Sequence, residues 1–420
     1  MTPRPEGVAA YIAVTAAYWA FMLTDGALRM LVLLHFNTLG FSPIQLAYLF
    51  VLYEIAGVVT NLSAGWIAAR FGLTSTLYAG LGLQVIALLA LSALDPGWTI
   101  AASVVFVMLV QGLSGVAKDL AKMSSKSAVK LLAPSENAGL FRWVAILTGS
   151  KNAVKGVGFL LGAAALGLIG FVPAVLGMAA ILAVILTVLL FRMPSGLPTG
   201  KKDAKFRDVF SKNPKVNWLS LARVFLFGAR DVWFVVGIPV YFYSVLSDGS
   251  AEGNRAAFFM VGCFMAIWII LYGAVQAFAP KMLRAKDRSE ADLSASARFW
   301  VGALFYPPVL LAGAVWVAGS PALWLTICVV VGLLVFGALF ALNSSLHSYL
   351  ILAFTSAERV TMDVGFYYMA NAAGRLLGTL LSGFTYQLGG LPLCLTTAAG
   401  MIALSWLSIA KISKPQAAIA

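Results

Sequence analysis

Apolar residues run through this chain in stretches of about twenty or more, broken by short clusters of Gly, Pro, Asn and charged residues. A helix rising about 1.5 Å per residue needs a run of that length to cross a hydrocarbon layer about 30 Å thick. The runs predict twelve membrane-spanning helices, at 8–36, 43–69, 73–94, 98–122, 138–168, 172–192, 217–246, 256–280, 297–318, 321–346, 361–388 and 392–411. The first is too long for a signal-peptide core and carries Asp25 and Arg29, so it is expected to be a retained helix. The longest polar stretch, 193–216, separates two sets of six runs. The expected fold class is therefore an all-α membrane protein of two pseudo-symmetric six-helix halves, 1–192 and 217–420, joined by a cytoplasmic linker at 193–216. Halves of this kind commonly enclose a site near the bilayer midplane that opens alternately to each side. A shift of 220 residues places Lys155 on Arg375, Gly158 on Gly378 and Leu160/Leu161 on Leu380/Leu381, a weak echo of duplication.

Composition agrees with the pattern. The chain is 61% hydrophobic and only 11% charged, with a mean hydropathy of +0.92, whereas soluble domains are about half apolar and a quarter charged. Basic loop residues mark the cytoplasmic side of a membrane protein. The even-numbered loops carry Arg70, Lys130, a run from Lys201 to Lys215, Lys281, Arg284, Lys286, Arg288 and Arg359, while the odd-numbered loops offer only Arg255. Both termini are thus expected in the cytoplasm. The net charge of +13 is accounted for by this bias and by cations inside the spans, so no nucleic-acid partner is expected.

Those intramembrane cations carry the chemistry. Lys151 and Lys155 lie about 20 and 26 Å into the fifth run, Arg230 about 20 Å into the seventh and Arg375 about 21 Å into the eleventh. Arg29 belongs to the outer half of the first, and Arg223 lies nearer the inner end of the seventh. A charge at the bilayer centre costs about 2.5–3.5 kcal/mol, so such residues face a partner, a cavity or a substrate. Arg29, Lys151, Lys155, Arg230 and Arg375 are therefore candidates to bind a small organic anion. The alternative for each is an internal salt bridge. Asp25 and Arg29 stand at i and i+4, where opposite charges meet; Lys151 and Lys155 have no acid in their own span and need Glu54, Asp363 or a bound anion. Arg230 and Asp231 are adjacent and point to different helix faces, so their pairing is expected to be poor.

Lys118, Lys122, Lys126 and Lys130 recur every four residues at the end of the fourth run, either as an interfacial anchor or as a funnel drawing an anion from the cytosol. Asp119, Ser124, Ser125 and Ser127 are placed to supply counter-charge and hydrogen bonds there. Asp25, Glu54 and Asp363 are candidates for proton coupling, because burial raises carboxyl pKa values. His35 and His347 are expected at the interfaces. Cys263, Cys328 and Cys394 lie in separate runs without ligand spacing, which predicts packing residues, no metal site and no cofactor. GLPTGKK at Gly196–Lys202 departs from a phosphate loop in spacing and final residue, and no hydrolase or metalloprotease motif is present. The chain reads as a secondary transporter and not an enzyme; a membrane-embedded enzyme is a remote alternative.

Two resemblances refine this. GWIAARFG, Gly65–Gly72, resembles the GxxxD[RK]xG loop of the major facilitator superfamily, with Gly65, Arg70 and Gly72 matching the gating loop and Ala69 replacing its Asp. TDGALRMLVLLHF (Thr24–Phe36), AKDLAKMSSKSAVKLL (Ala117–Leu132), LFRWVAILTGSKNAVKGVGF (Leu140–Phe159) and ARVFLFGARDVWFVVGIPVY (Ala222–Tyr241) resemble the ArsJ organoarsenical exporters. That resemblance implies efflux of 1-arseno-3-phosphoglycerate across a bacterial inner membrane and arsenate resistance. It also implies a functional partnership with glyceraldehyde-3-phosphate dehydrogenase, which makes the ester from arsenate. The resemblance supplies a substrate but no binding residues. The rival reading is a transporter of another organic phosphate or dicarboxylate, with proton exchange or facilitated export as the driving force.

Overall fold

In the computed structural model, residues 5–132, 139–193, 210–284, 288–355 and 359–412 are described, with side chains set aside at 5–11, 64, 65, 68, 69, 126–132, 139–149, 360 and 361. Among the described residues every regular element is a helix. In chain order these are α1 (Pro5–Thr38), α2 (Pro43–Tyr48), α3 (Val51–Phe71), α4 (Leu73–Ser92), α5 (Ile100–Leu132), α6 (Gly139–Ile169) and α7 (Phe171–Arg192). There follow α8 (Pro214–Phe234), α9 (Gly237–Leu246), α10 (Ala251–Met282), α11 (Glu290–Leu304), α12 (Tyr306–Ala318), α13 (Leu323–Phe354) and α14 (Val360–Ile412).

Eleven of the described helical segments are long and apolar enough to cross a membrane. The last of these, 51 residues from Met362 to Ile412, is interrupted at Gly389 and Gly390. Gly390 has φ 61° and ψ −156°, a conformation closed to residues with a Cβ. The break divides α14 into two passes, matching the predicted runs 361–388 and 392–411 and raising the eleven segments to twelve passes.

Local chemistry explains where the helices begin and bend. Asn213 caps α8 by accepting from the Lys215 N–H (2.9 Å), and Pro214 fills the first helical position, where no N–H is needed. Ser289 and Asp292 form a capping box at the start of α11. The ninth pass bends between α11 and α12 at Phe305, where Pro307 and Pro308 follow. The seventh bends between α8 and α9, and the buried Val236 and Gly237 N–H groups donate to Ser382 Oγ (3.1 Å each). Hydrocarbon offers no such partner, so the bend depends on that hydroxyl.

The helices outrun the predicted segments at several ends. α10 begins at Ala251 and not 256, α11 at Glu290 and not 297, and α13 continues to Phe354 and not 346. Charged residues and amides such as Glu252, Glu290 and Asn343 end an apolar run without ending a helix, because caps and breakers set helix termini. Leu168, Phe191, Trp316 and Leu323 are 77–83% exposed on the helix surfaces, which suits contact with lipid chains.

The chain forms two compact units. One comprises 1–41, 48–207 and 242–273; the other comprises 42–47, 208–241 and 274–420. In the first, α1 packs on α6, and α5 packs on α3 and α4. In the second, α8 lies along α14, and Val216, Leu219, Ala222, Leu346, Leu350 and Tyr367 form part of a buried apolar core.

Candidate functional site

Each unit builds a cluster of buried charges on its first helix pair. In the first unit, α6 crosses α1 so closely that a Cβ on Gly158 would meet the Leu23 carbonyl oxygen, and one on Gly26 would meet the Lys155 carbonyl. The crossing delivers Lys155 to Asp25: Lys155 Nζ donates to Asp25 Oδ2 (2.8 Å), and Tyr53 Oη donates to Oδ1 (2.5 Å). Arg29 takes a different acid. Its Nη2 donates to Glu54 Oε1 (2.8 Å), and the guanidinium lies 5.0 and 5.1 Å from the ring centroids of Phe50 and Tyr53. The expected Asp25–Arg29 pairing is thus corrected: both side chains reach off their helix to partners on others.

Tyr53 links this group to α5. Lys118 Nζ sits 3.9 Å from the Tyr53 ring centroid and 4.0 Å from Asp119 Oδ2. Lys122 donates to Asp119 Oδ1 (3.1 Å) and Asn61 Oδ1 (2.7 Å), and Thr60 donates to Asp119 Oδ2 (2.7 Å). Two lysines of the α5 stripe therefore turn inward, Lys118 being only 7% exposed; the Lys126 and Lys130 side chains lie outside the described residues. Lys151 lies partly buried one turn before Lys155, beside the contact in which Trp19 Nε1 donates to Ser150 Oγ (3.1 Å).

The second unit repeats the device with arginine. Arg230 Nε donates to Asp231 Oδ1 (2.6 Å), and Arg375 Nε lies 3.5 Å from Asp231 Oδ2. The expectation of poor pairing between Arg230 and Asp231 is overturned, because the long guanidinium stem folds back across the helix surface to its neighbour. Phe227, Phe340 and Phe234 surround the Arg230 guanidinium at 5.0, 5.4 and 5.7 Å. Arg223, two turns earlier on α8, lies 3.9 Å from the other neighbour of this group, the Phe227 ring. A Cβ on Gly378 would meet the Gly228 carbonyl oxygen and Asp231 Cβ, so α14 crosses α8 next to the ion pair. Lys155 with Asp25 near Gly158 and Arg375 with Asp231 near Gly378 are similar arrangements; the 220-residue shift aligns the basic residues and the glycines, whereas the two acids are 206 positions apart.

The remaining candidates fall elsewhere. Asp363 accepts from Thr355 Oγ1 (2.8 Å) and pairs with Arg359 at 3.7 Å in the first turn of α14, about 18 Å along the helix from Arg375. A carboxylate there complements the helix dipole. Gly72 precedes α4 with φ 77°, Arg70 lies 5.7 Å from the Trp66 ring, and Gly65 lies within α3. His347, expected at an interface, is fully buried; His35 stacks on Phe171 at 4.1 Å. Of the cysteines, Cys394 is buried against Thr385 (3.2 Å), but Cys328 is exposed on α13, so it is not a core packing residue. Tyr53, Arg223, Ser344 and Asn371 were not selected from sequence as site residues. The spacing of Arg223, Phe227 and Arg230 at i, i+4 and i+7 is a readable signal for one shared helix face.

The arrangement suits anions. Among the described residues, unit 1 gathers Arg29, Lys118, Lys122, Lys151 and Lys155 with three carboxylates, Asp25, Glu54 and Asp119. In unit 2, Arg230 and Arg375 share Asp231, and Arg223 shares the Phe227 ring with Arg230. Guanidinium groups hold oxyanions through parallel hydrogen bonds, which a point charge does not provide.

Several solved structures share the fold. A nucleoside transporter, NupG, superposes with a TM-score of 0.71 at 18% identity, covering 97% of this chain and 100% of its own. A POT family transporter in complex with a thioalcohol-conjugated peptide gives 0.74 at 14% identity, with 96% of each chain covered. A bacterial homologue of the iron transporter ferroportin, in an inward-facing state, gives 0.68 at 12% identity, covering 98% of this chain and 99% of its own. No curated protein sequence matches. The family model described as Major Facilitator Superfamily matches residues 11–351, more than half of the chain, and a membrane protein with these twelve helical passes belongs to that superfamily.

Proposed function

We propose that this major facilitator exports an organic oxyanion by alternating access of six-helix halves 1–192 and 217–420, and that its cargo is 1-arseno-3-phosphoglycerate. The observation that carries the reading is the arginine set on α8 and α14: Arg230 and Arg375 share Asp231, and Arg223, 4% exposed, has no carboxylate partner among the described residues. Within the second unit an oxyanion competes with Asp231 for Arg230 and Arg375; within the first, one competes with Asp25 for Lys155, one turn from Lys151. A cargo with a phosphate at one end and an arsenate ester at the other needs cations at both. The four segments similar to the ArsJ exporters supply the arsenical. The setting is the bacterial cell membrane with both termini cytoplasmic. The partnership with glyceraldehyde-3-phosphate dehydrogenase is functional, and the resulting phenotype is arsenate resistance.

A transporter of another organic phosphate or dicarboxylate is the second reading, because cationic clusters select charge before identity. Everted membrane vesicles separate the two. With arsenate, glyceraldehyde-3-phosphate, NAD and the dehydrogenase supplied outside, arsenic is expected to accumulate inside; omitting any component abolishes accumulation. Accumulation from arsenate alone would mean an inorganic arsenate pump. Equal handling of phosphoglycerate and no uptake of the arsenical would favour the second reading.

A further inference from the structure

Arg223 differs from the other buried cations. It is 4% exposed and has no carboxylate partner among the described residues. Its Nε donates to Asn371 Oδ1 (3.1 Å), its Nη1 to the carbonyl and hydroxyl oxygens of Ser344 (3.2 Å each), and its faces are covered by Phe227 and Tyr367 at 3.9 and 4.9 Å. Nη2 donates to nothing among the described residues. Close by on α13, His347 is fully buried and, among the described residues, neither imidazole nitrogen has a hydrogen-bond partner. It lies within electrostatic reach of Arg223. One turn before it, Asn343 is also fully buried; its Nδ2 donates to the Leu339 carbonyl, and its Oδ1 accepts nothing among the described residues. Ser344 and His347 stand at i and i+3, and Asn343 and His347 at i and i+4, so His347 shares a face of α13 with each of them.

Buried polar groups in folded proteins are nearly always satisfied. Here an arginine without a counter-ion, an imidazole with two idle nitrogens and an amide oxygen without a donor occur together. The missing complement carries negative charge, accepts hydrogen bonds and also offers a hydroxyl. We propose that Arg223, His347 and Asn343 form a subsite for a hydroxylated oxyanion, with the class represented by a phosphorylated hydroxy acid. Arg223 Nη2 and an imidazole N–H donate to the oxyanion, and the neighbouring hydroxyl donates to Asn343 Oδ1. The inference rests on the organic-oxyanion reading above and deepens it by adding a specificity-determining group outside the Asp231 pair. A phospholipid with a glycerol headgroup offers similar chemistry, so the test must separate the two sources.

The full-length protein in nanodiscs of zwitterionic lipid is titrated calorimetrically with 3-phosphoglycerate and with its analogue lacking the hydroxyl. Wild type is expected to prefer the hydroxylated probe, and Arg223→Met to weaken its binding about tenfold or more. His347→Phe is the more telling variant, since it is expected to raise the melting temperature by removing idle polar groups while weakening binding about fivefold or more. A purely structural histidine would change stability and leave affinity alone. Unchanged affinity in Arg223→Met and His347→Phe, with binding lost in Arg230→Met, would overturn this subsite and leave the functional reading standing. Failure of wild type to bind 3-phosphoglycerate would overturn this subsite; the functional reading falls only if the vesicles also fail to accumulate the arsenical. Protection by phosphatidylglycerol with no response to 3-phosphoglycerate would make this a lipid site and overturn the proposal.

Discussion

Lys155 and Asp25 hold each other in a place where neither is tolerated alone. Asp25 is 3% exposed, and Lys155→Met would leave its carboxylate with the Tyr53 hydroxyl as hydrogen-bond donor and Lys118 as a more distant cation among the described residues. Removing one member of a buried ion pair costs about 3–5 kcal/mol. The single variant is therefore expected to melt well below wild type in detergent. Combining it with Asp25→Asn restores the melting temperature, and vesicle uptake stays low because the cation is still missing. A single variant as stable as wild type would show that the pair does not bear on folding. At this scale the depth of the cations was legible, since charge within an apolar run needs no structure to be noticed. Their partners were not. Asp25 lies one turn from Arg29, yet the α1–α6 crossing gives it to Lys155, and a crossing is a property of two helices that no local spacing encodes.

The helix pairs owe those contacts to glycine. At Gly378 a side chain would meet the Gly228 backbone and Asp231 Cβ, so Gly378→Val must push α14 away from α8 and pull Arg375 from Asp231. Such overpacking costs about 1–3 kcal/mol, occasionally more. Gly400, also within α14, has open space where its Cβ would stand, so Gly400→Val serves as the control. A lower melting temperature and lost uptake are expected in the first variant and neither in the second; equal behaviour would remove the crossing from the argument. The existence of the elements was legible because a run of twenty apolar residues has few other fates. Their ends and bends were less so. The α8–α9 bend depends on Ser382, 146 residues from Val236, and helix continuation past Glu290 depends on a capping box, not on hydropathy.

At the scale of the molecule, the faint 220-residue echo set Arg375 where the first copy has Lys155, and in the structure each of the two meets an acid on a crossing helix. The exchange of lysine for arginine, and the differing register of the acids on α1 and α8, explain why the echo was faint. One consequence of the second copy is electrical. Asp231 serves two arginines and Arg223 has no acid among the described residues, so the empty cluster carries a net charge of about two positive units (three arginines less one carboxylate). Moving one elementary charge through a potential of 100 mV involves about 2.3 kcal/mol. An interior-negative voltage therefore pulls the unloaded carrier toward its cytoplasm-facing state. A cargo with an oxyanion at each end, each of about −1.5 to −2 charge, more than cancels those two positive units, so the same voltage drives the loaded carrier outward. Export should then slow several-fold when valinomycin and potassium collapse the voltage with the proton gradient left intact. A rate indifferent to that clamp would mean that the return of the empty carrier moves no net charge through the field.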